Sequence, residues 1–391
     1  MIRLRDTRHE NTAGFLGSAI KVAEYYGFVP LEEALRTRTP QPRVAPQKLE
    51  EIAFARREER ALAQIARRSA ASVQGTQPAN FFWRVATGQS TVPSLSLELH
   101  IVGVQSAIAE AMLLVVAQAI TEDAGLARPT LSINNMGSLD SSSRYVRDVA
   151  TYLRKHIDSI SPTLRPRAAT DPLGTLVQLI ERGHPGVARA PQAMEYLTEE
   201  ERRRFWELLE YLEAAGLSYE LNGAVLGSTD CWSHTLFELS SIDQESNTRL
   251  PLAFGGRYDR LASRFGRPTS AATIAITCEV RGKTRFKRDV PGMPAIYFAH
   301  LGLEARRMSL GILENLRKAE IPVYHNLHME RLAEQMIRAK ELATPYILIV
   351  GYKEASEKTA LVREVATNSQ EAIPLTELPG YLKRRRVGTR I

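Results

Sequence analysis

Cysteine is nearly absent: the 391-residue chain holds two, Cys231 and Cys278. Two thiols build neither a disulfide framework nor a zinc site by themselves, so both read as small buried apolar residues in a reducing cytosol. Long hydrophobic runs are missing as well. The longest, 111–120 (AMLLVVAQAI), falls far short of the roughly 20 residues that span a bilayer. The opening MIRLRDTRHENTAG is charged, with no apolar stretch behind it, which excludes a secretory signal and leaves a cytoplasmic protein as the expectation. No Walker A string, no G-x-S-x-G elbow and no H-E-x-x-H pattern occurs. His325 and His328 stand three apart with no carboxylate between them, so no metal site is expected.

What is present describes a globular protein. Hydrophobic residues make up 44% and charged residues 24%, enough for a sizeable core, and the length predicts two or three domains. A net charge of +7 permits an acidic partner such as RNA without requiring one. From residue 294 onward, strand-like and helical patterns alternate: strands at 295–300, 321–325, 346–350 and 360–367, helices at 303–319, 331–342 and 375–386. That order predicts parallel strands joined by right-handed crossovers. The polar stretch 282–292 reads as a linker. Upstream, helices are expected at 15–28, 51–71 and 108–120, and strands at 95–104, 130–135, 218–221, 236–241 and 274–278. Thr198 and Glu201 form a capping box before a helix that Gly216 stops, while 162–191 looks irregular. Strands paired over long sequence distances, with helices alongside, predict an α+β domain on an antiparallel sheet.

A family resemblance follows from several strings in collinear order. Gly255-Gly256-Arg257-Tyr258-Asp259 resembles the GGRYD loop of histidyl-tRNA synthetases. Tyr25 to Pro30 (YYGFVP) resembles the first class II motif, and Glu98-Leu99-His100 with Gly103 resembles the second-motif strand. Asp171-Pro172-Leu173 and Tyr196-Leu197 resemble landmarks of the inserted region. The C-terminal unit resembles the anticodon-binding domain of the same enzymes. The resemblance implies a class II synthetase-like domain over 1–150 and 217–282, a helical insertion at 151–216, a linker at 283–293 and an anticodon-binding-like domain at 294–391.

The departures bear on activity. Activating an amino acid with ATP concentrates negative charge, and the family meets it with arginines. Here the second-motif arginine position falls near Thr87, with Arg84 three residues away. The third motif reads Thr277-Cys278-Glu279-Val280, lacking both glycine and arginine, and Arg281 follows one residue late. Gly227 stands where the histidine-binding loop carries arginine, although Asp230 and Trp232 remain. The family's R-P-E-x-T clamp has no counterpart in Glu58-Glu59-Arg60-Ala61-Leu62, and Gln105 replaces a glutamate. Losing one preorganised contact costs about 2.7–4 kcal/mol of transition-state stabilisation, so three losses leave little adenylation.

The resemblance therefore implies a catalytically degenerate, homodimeric paralogue that acts as an RNA-binding protein, with tRNA as the expected RNA, or as a regulatory protein with a protein partner, and that has no catalytic residue and no cofactor. A remnant amino-acid pocket would comprise Glu98, Gln105, Asp230, Trp232, Gly255, Gly256, Arg257 and Tyr258. Arg257 and Asp259 could equally form an internal ion pair in a purely structural loop. The cations Lys383, Arg384, Arg385 and Arg386 would face RNA. One alternative is an active histidine–tRNA ligase, or a related carboxylate-activating ligase, using ATP and magnesium with Arg84 or Arg281 on the triphosphate. Another is a regulatory subunit like that of ATP phosphoribosyltransferase, against which the C-terminal unit argues.

Overall fold

The computed structural model describes residues 1–36, 58–70, 79–88, 92–126, 129–243, 247–265, 269–288, 292–385 and 387. Eight strands make the larger sheet: β1 (Val29–Pro30), β2 (Asn80–Thr87), β3 (Ser94–Val102), β4 (Thr130–Asn135), β5 (Tyr219–Leu221), β6 (Ser233–Ile242), β7 (Arg249–Arg257) and β8 (Ala271–Glu279). Their order is β1-β2-β3-β8-β7-β6-β4-β5. Pairing is antiparallel except at the two rims, where β1–β2 and β4–β5 run parallel. The α+β architecture on an antiparallel sheet is the one expected.

Alternation explains how this sheet is oriented. In β3, Leu97, Leu99 and Ile101 are fully buried beneath the helices Thr12–Tyr25 and Ile108–Asp123. Ser96, Glu98 and His100 therefore point to the opposite face. Helix 108–123 is apolar almost all round because it has the sheet on one side and the helix Leu303–Lys318 on the other. Burial of each such leucine or isoleucine contributes roughly 1.5–3 kcal/mol. The capping box is present at the start of helix Glu199–Ala214, and Gly216, at φ +73°, follows its end. The segment 162–191 is more regular than expected: it holds the helices Arg165–Thr170 and Pro172–Glu181, the second capped by the Asp171 carboxylate on the Gly174 N–H. Of the long helix expected at 51–71, Glu58–Ala70 is helical and 51–57 lie outside the described residues.

The smaller sheet contains β9 (Ile296–His300), β10 (Val323–His325), β11 (Tyr346–Val350), β12 (Thr359–Glu364) and β13 (Gln370–Pro374), in the order β10-β9-β11-β12-β13. The expectation of parallel strands holds for β10, β9 and β11 and fails beyond them, where β12 and β13 are antiparallel. The reason lies between β11 and β12. The helix there, Tyr352–Glu357, has six residues, too few for a crossover, and Lys358 in the left-handed region (φ 54°) turns the chain back. β13 has no counterpart in the expected strands, and the helix expected from 375 starts later, after a turn at 375–377, and runs Leu378–Arg384.

The two sheets are joined through one continuous apolar core that includes Phe15, Leu113, Leu310, Leu313 and Leu382. Polar ties reinforce it. The Tyr25 hydroxyl donates to the carbonyls of Leu313 (3.2 Å) and Ile321 (3.0 Å), and Tyr26 donates to Glu314 at 2.7 Å. Arg317 grips Asp123 with two hydrogen bonds of 2.7 and 3.1 Å. The stretch 281–288 lies against the same body: the Thr12 and Ala13 N–H groups donate to the carbonyls of Arg281 and Lys283.

Candidate functional site: a cavity on the open face of the large sheet

The face of the large sheet away from its helices carries a cavity of about 430 Å³. Register builds its floor: Ser96 opposes Thr277, Glu98 opposes Ala275 and His100 opposes Thr273 across β3 and β8. Phe254 of β7 opposes Ala275 in turn. Thr87 and Gly88 close one end, and Ala61 and Leu62 of helix 58–70 form a wall with Trp232.

The polar groups in this floor are coupled in a chain. Arg84, directly opposite Glu98, holds its carboxylate with two hydrogen bonds of 2.8 and 3.1 Å. His100 Nε2 lies 3.5 Å from the same carboxylate, and its Nδ1 is 3.1 Å from the Tyr258 hydroxyl. Its ring stacks on Phe82 with centroids 4.9 Å apart. Burial raises the pKa of Glu98, but His100 and Arg84 more than offset it, so the carboxyl sits below its ordinary range. Burial dominates at His100 and pushes its pKa down, keeping the imidazole neutral at pH 7. The Ser96 and Thr277 hydroxyls bond each other at 2.8 Å, and the Thr273 hydroxyl donates to the Leu99 carbonyl at 2.8 Å.

Of the residues assigned to the pocket from sequence, Glu98 and Trp232 line the cavity. The others, apart from Gln105, serve the frame. Gly255 and Gly256 lie inside β7, not in a loop, because a Cβ would come within 2.2 Å of the Thr273 carbonyl oxygen at Gly255 and 2.5 Å of the Thr235 carbonyl oxygen at Gly256. Their bare backbone lets β6, β7 and β8 close on one another. Arg257 is fully buried: it donates to Glu110 (2.7 Å), the Val104 carbonyl (2.7 Å) and Asp259 (2.9 Å). The Arg257–Asp259 pair raised from sequence is thus present, and Glu110, from the helix behind the sheet, completes it. Tyr258 is fully buried beside His100. Asp230 is held by Arg264 at 2.6 Å and Arg260 at 3.5 Å. Gln105 is exposed in the turn after β3.

Neither arginine considered for a triphosphate lines the cavity. Arg84 spends its guanidinium on Glu98. Arg281 is exposed beyond the end of β8, its backbone N–H on the Thr12 hydroxyl at 2.7 Å. Among the described residues, no lysine or arginine side chain lines the cavity. On the last helix Lys383, Arg384 and Arg385 are exposed, Arg385 lying over the Tyr381 ring and 3.6 Å from Glu371, while Arg386 is outside the described residues.

Gly227 has a structural explanation that sequence reasoning missed. A Cβ there would come within 2.4 Å of Trp232 Cδ1 and 2.9 Å of Glu59 Oε1. Glu59 is fully buried and accepts from the Ser228 N–H (2.7 Å) and the Trp232 indole N–H (2.9 Å). A carboxylate and an indole therefore fill the space that a side chain at 227 would need. Period-two alternation around Glu98 would have pointed to Ser96 and His100, and around Ala275 to Thr273 and Thr277; nothing local points to Glu59. Both cysteines are buried and unbridged, and burial pushes the Cys278 thiol up to about 12.

Comparison with known proteins shows what the chain is similar to. Residues 299–385 match the anticodon binding domain family. The chain is 27% identical over 282 residues to the histidine–tRNA ligase of Geobacillus kaustophilus, covering 71% of this chain and 66% of that one. It is 27% identical over 295 residues to the histidine–tRNA ligase of Bacillus subtilis, covering 74% and 70%. The match to the Geobacillus protein spans slightly under two thirds of that relative's length, 66%. The apo S. aureus histidyl-tRNA synthetase shares the fold with a TM-score of 0.50 at 18% identity, over 97% of this chain and 98% of that one. The fold is that of a class II synthetase with an anticodon-binding-type C-terminal domain. In sequence the chain is similar to histidine–tRNA ligases, and its C-terminal region to the anticodon binding domain family.

Proposed function

We propose that this chain is a histidyl-tRNA synthetase-like protein that has given up amino-acid activation and acts by binding RNA of the tRNA class. The observation that carries the reading is Trp232 with Glu59 in the space over Gly227, where the related enzymes' loop holds arginine. It is supported by Thr87 at the cavity rim and Val280 beyond β8, neither of which supplies a cation. A triphosphate buried without cations would carry an uncompensated charge of several kcal/mol or more. The C-terminal region, by contrast, keeps the anticodon-binding match and an exposed basic helix end. We take the region 294–391 as the RNA-binding unit, and pairing of two copies as the working assembly.

Two assays test this. ATP–pyrophosphate exchange with each standard amino acid is expected to give no signal from the folded protein; exchange with any one of them overturns the proposal. Gel-shift titration with total tRNA is expected to show binding that weakens as salt rises. No shift at low salt would overturn the RNA role, and sedimentation of the purified chain checks the pairing.

A further inference from the structure

Among the described residues the cavity is lined by no lysine or arginine side chain, and its lining says what it can hold. At about 430 Å³ it lies within the range of small-molecule sites, roughly 300–1,000 Å³. Its walls are apolar, with Trp232 set edge-on to Phe254 (centroids 5.4 Å apart) and Leu62 beside them. Its floor offers acceptors. The Thr273 hydroxyl has given its proton to the Leu99 carbonyl, leaving lone pairs inward, and the Glu98 carboxylate is anchored by Arg84. The neutral imidazole of His100 brings no compensating charge.

An anion placed here would lose its hydration and meet the Glu98 carboxylate; among the described residues no lysine or arginine faces it, and the Met1 ammonium in the lining is turned to the Pro251 carbonyl. A flat uncharged body would bury its faces on the apolar walls and satisfy the acceptors with N–H groups. We propose that the cavity is a binding site for an uncharged aromatic compound bearing N–H donors, such as an aromatic amide or an indole, and that it excludes phosphorylated and carboxylated ligands. The Glu98 carboxylate accepts the ligand N–H, and Trp232, Phe254 and Leu62 enclose its ring. This rests on the reading that the cavity no longer serves ATP. It is independent of RNA binding, which gel shift reads separately, so either claim can fail alone.

The test uses the full chain and the indole N–H signals of its three tryptophans. Trp232 lines the cavity, whereas Trp206, 62% exposed on helix 199–214, serves as an internal control. Nicotinamide and indole are titrated beside nicotinate and ATP. The uncharged probes are expected to shift the Trp232 signal saturably and leave Trp206 in place, with nicotinate and ATP at least tenfold weaker. Ala275→Leu, which fills the floor beside Glu98, is expected to weaken nicotinamide at least tenfold. If that variant does not fold, the wild-type contrast of nicotinamide with nicotinate still decides, because these probes differ mainly in charge. Nicotinate or ATP binding as tightly as nicotinamide overturns the proposal, as does a Trp232 signal that neither uncharged probe moves.

Discussion

The large sheet and the last helix use positive charge in opposite ways. Around the cavity the arginines are consumed internally: Arg84 by Glu98, Arg257 by Glu110 and Asp259, Arg260 and Arg264 by Asp230. At the C-terminal end Lys383, Arg384 and Arg385 stand exposed. A cation locked in the interior builds the frame and is unavailable to a ligand. One left at the surface adds little to stability and can meet a phosphate. The same residue type thus marks structure in one region and is left free for recognition, under the proposed function, in the other.

That contrast can be broken most severely at Arg257. Replacing it with leucine leaves Glu110 and Asp259 without their shared cation, and urea denaturation should report a loss of about 3–5 kcal/mol. Adding Glu110→Leu should recover part of it; an unchanged midpoint in the single variant would show that the pair does not brace the sheet. Acid should act next, at the smaller sheet. Burial, with Arg306 nearby, lowers the pKa of His300 and of His328 to about 4. Burial and the other two histidines lower His325 to about 3. Unfolded histidine titrates near 6.5, so as pH falls the unfolded chain takes up protons first. Stability should therefore be full above about pH 6.5 and decline toward pH 4. His325→Phe should flatten that slope, and an identical slope would place the acid sensitivity elsewhere.

Smaller effects sharpen the comparison. Gly227→Arg should cost about 1–3 kcal/mol by driving a side chain into Trp232 and Glu59, and it should not restore pyrophosphate exchange. Restored exchange would mean that the cavity lacks only that cation. Replacing Lys383, Arg384 and Arg385 with alanine should change stability by no more than about 0.5 kcal/mol, while weakening tRNA binding and reducing its salt dependence. Unaltered RNA affinity would move the interface to another face.

Local signals were legible and non-local ones were not. The alternation of 95–102 reads directly as a strand with one apolar face, and Thr198 with Glu201 reads as a helix start. The turn back into β12 hinges on a left-handed lysine, a residue type that carries no turn signal of its own. The GGRYD string reads as a loop only through its family resemblance; in the structure its glycines mark close strand contact. Trp232 was placed in the pocket from its loop, but its partner Glu59 lies 173 residues away on another element. A glycine at 227 looks like a simple loss until that neighbour is known.

The ties across the two sheets carry a thermal consequence. Because Tyr25, Tyr26 and Asp123 bind the helix 303–318 while Leu310 and Leu313 share the apolar core of the larger body, the smaller sheet cannot melt and leave that body's surface dry. Calorimetry should therefore record a single endotherm for the chain, in which the smaller sheet and the part that keeps the cavity lose their structure at one temperature.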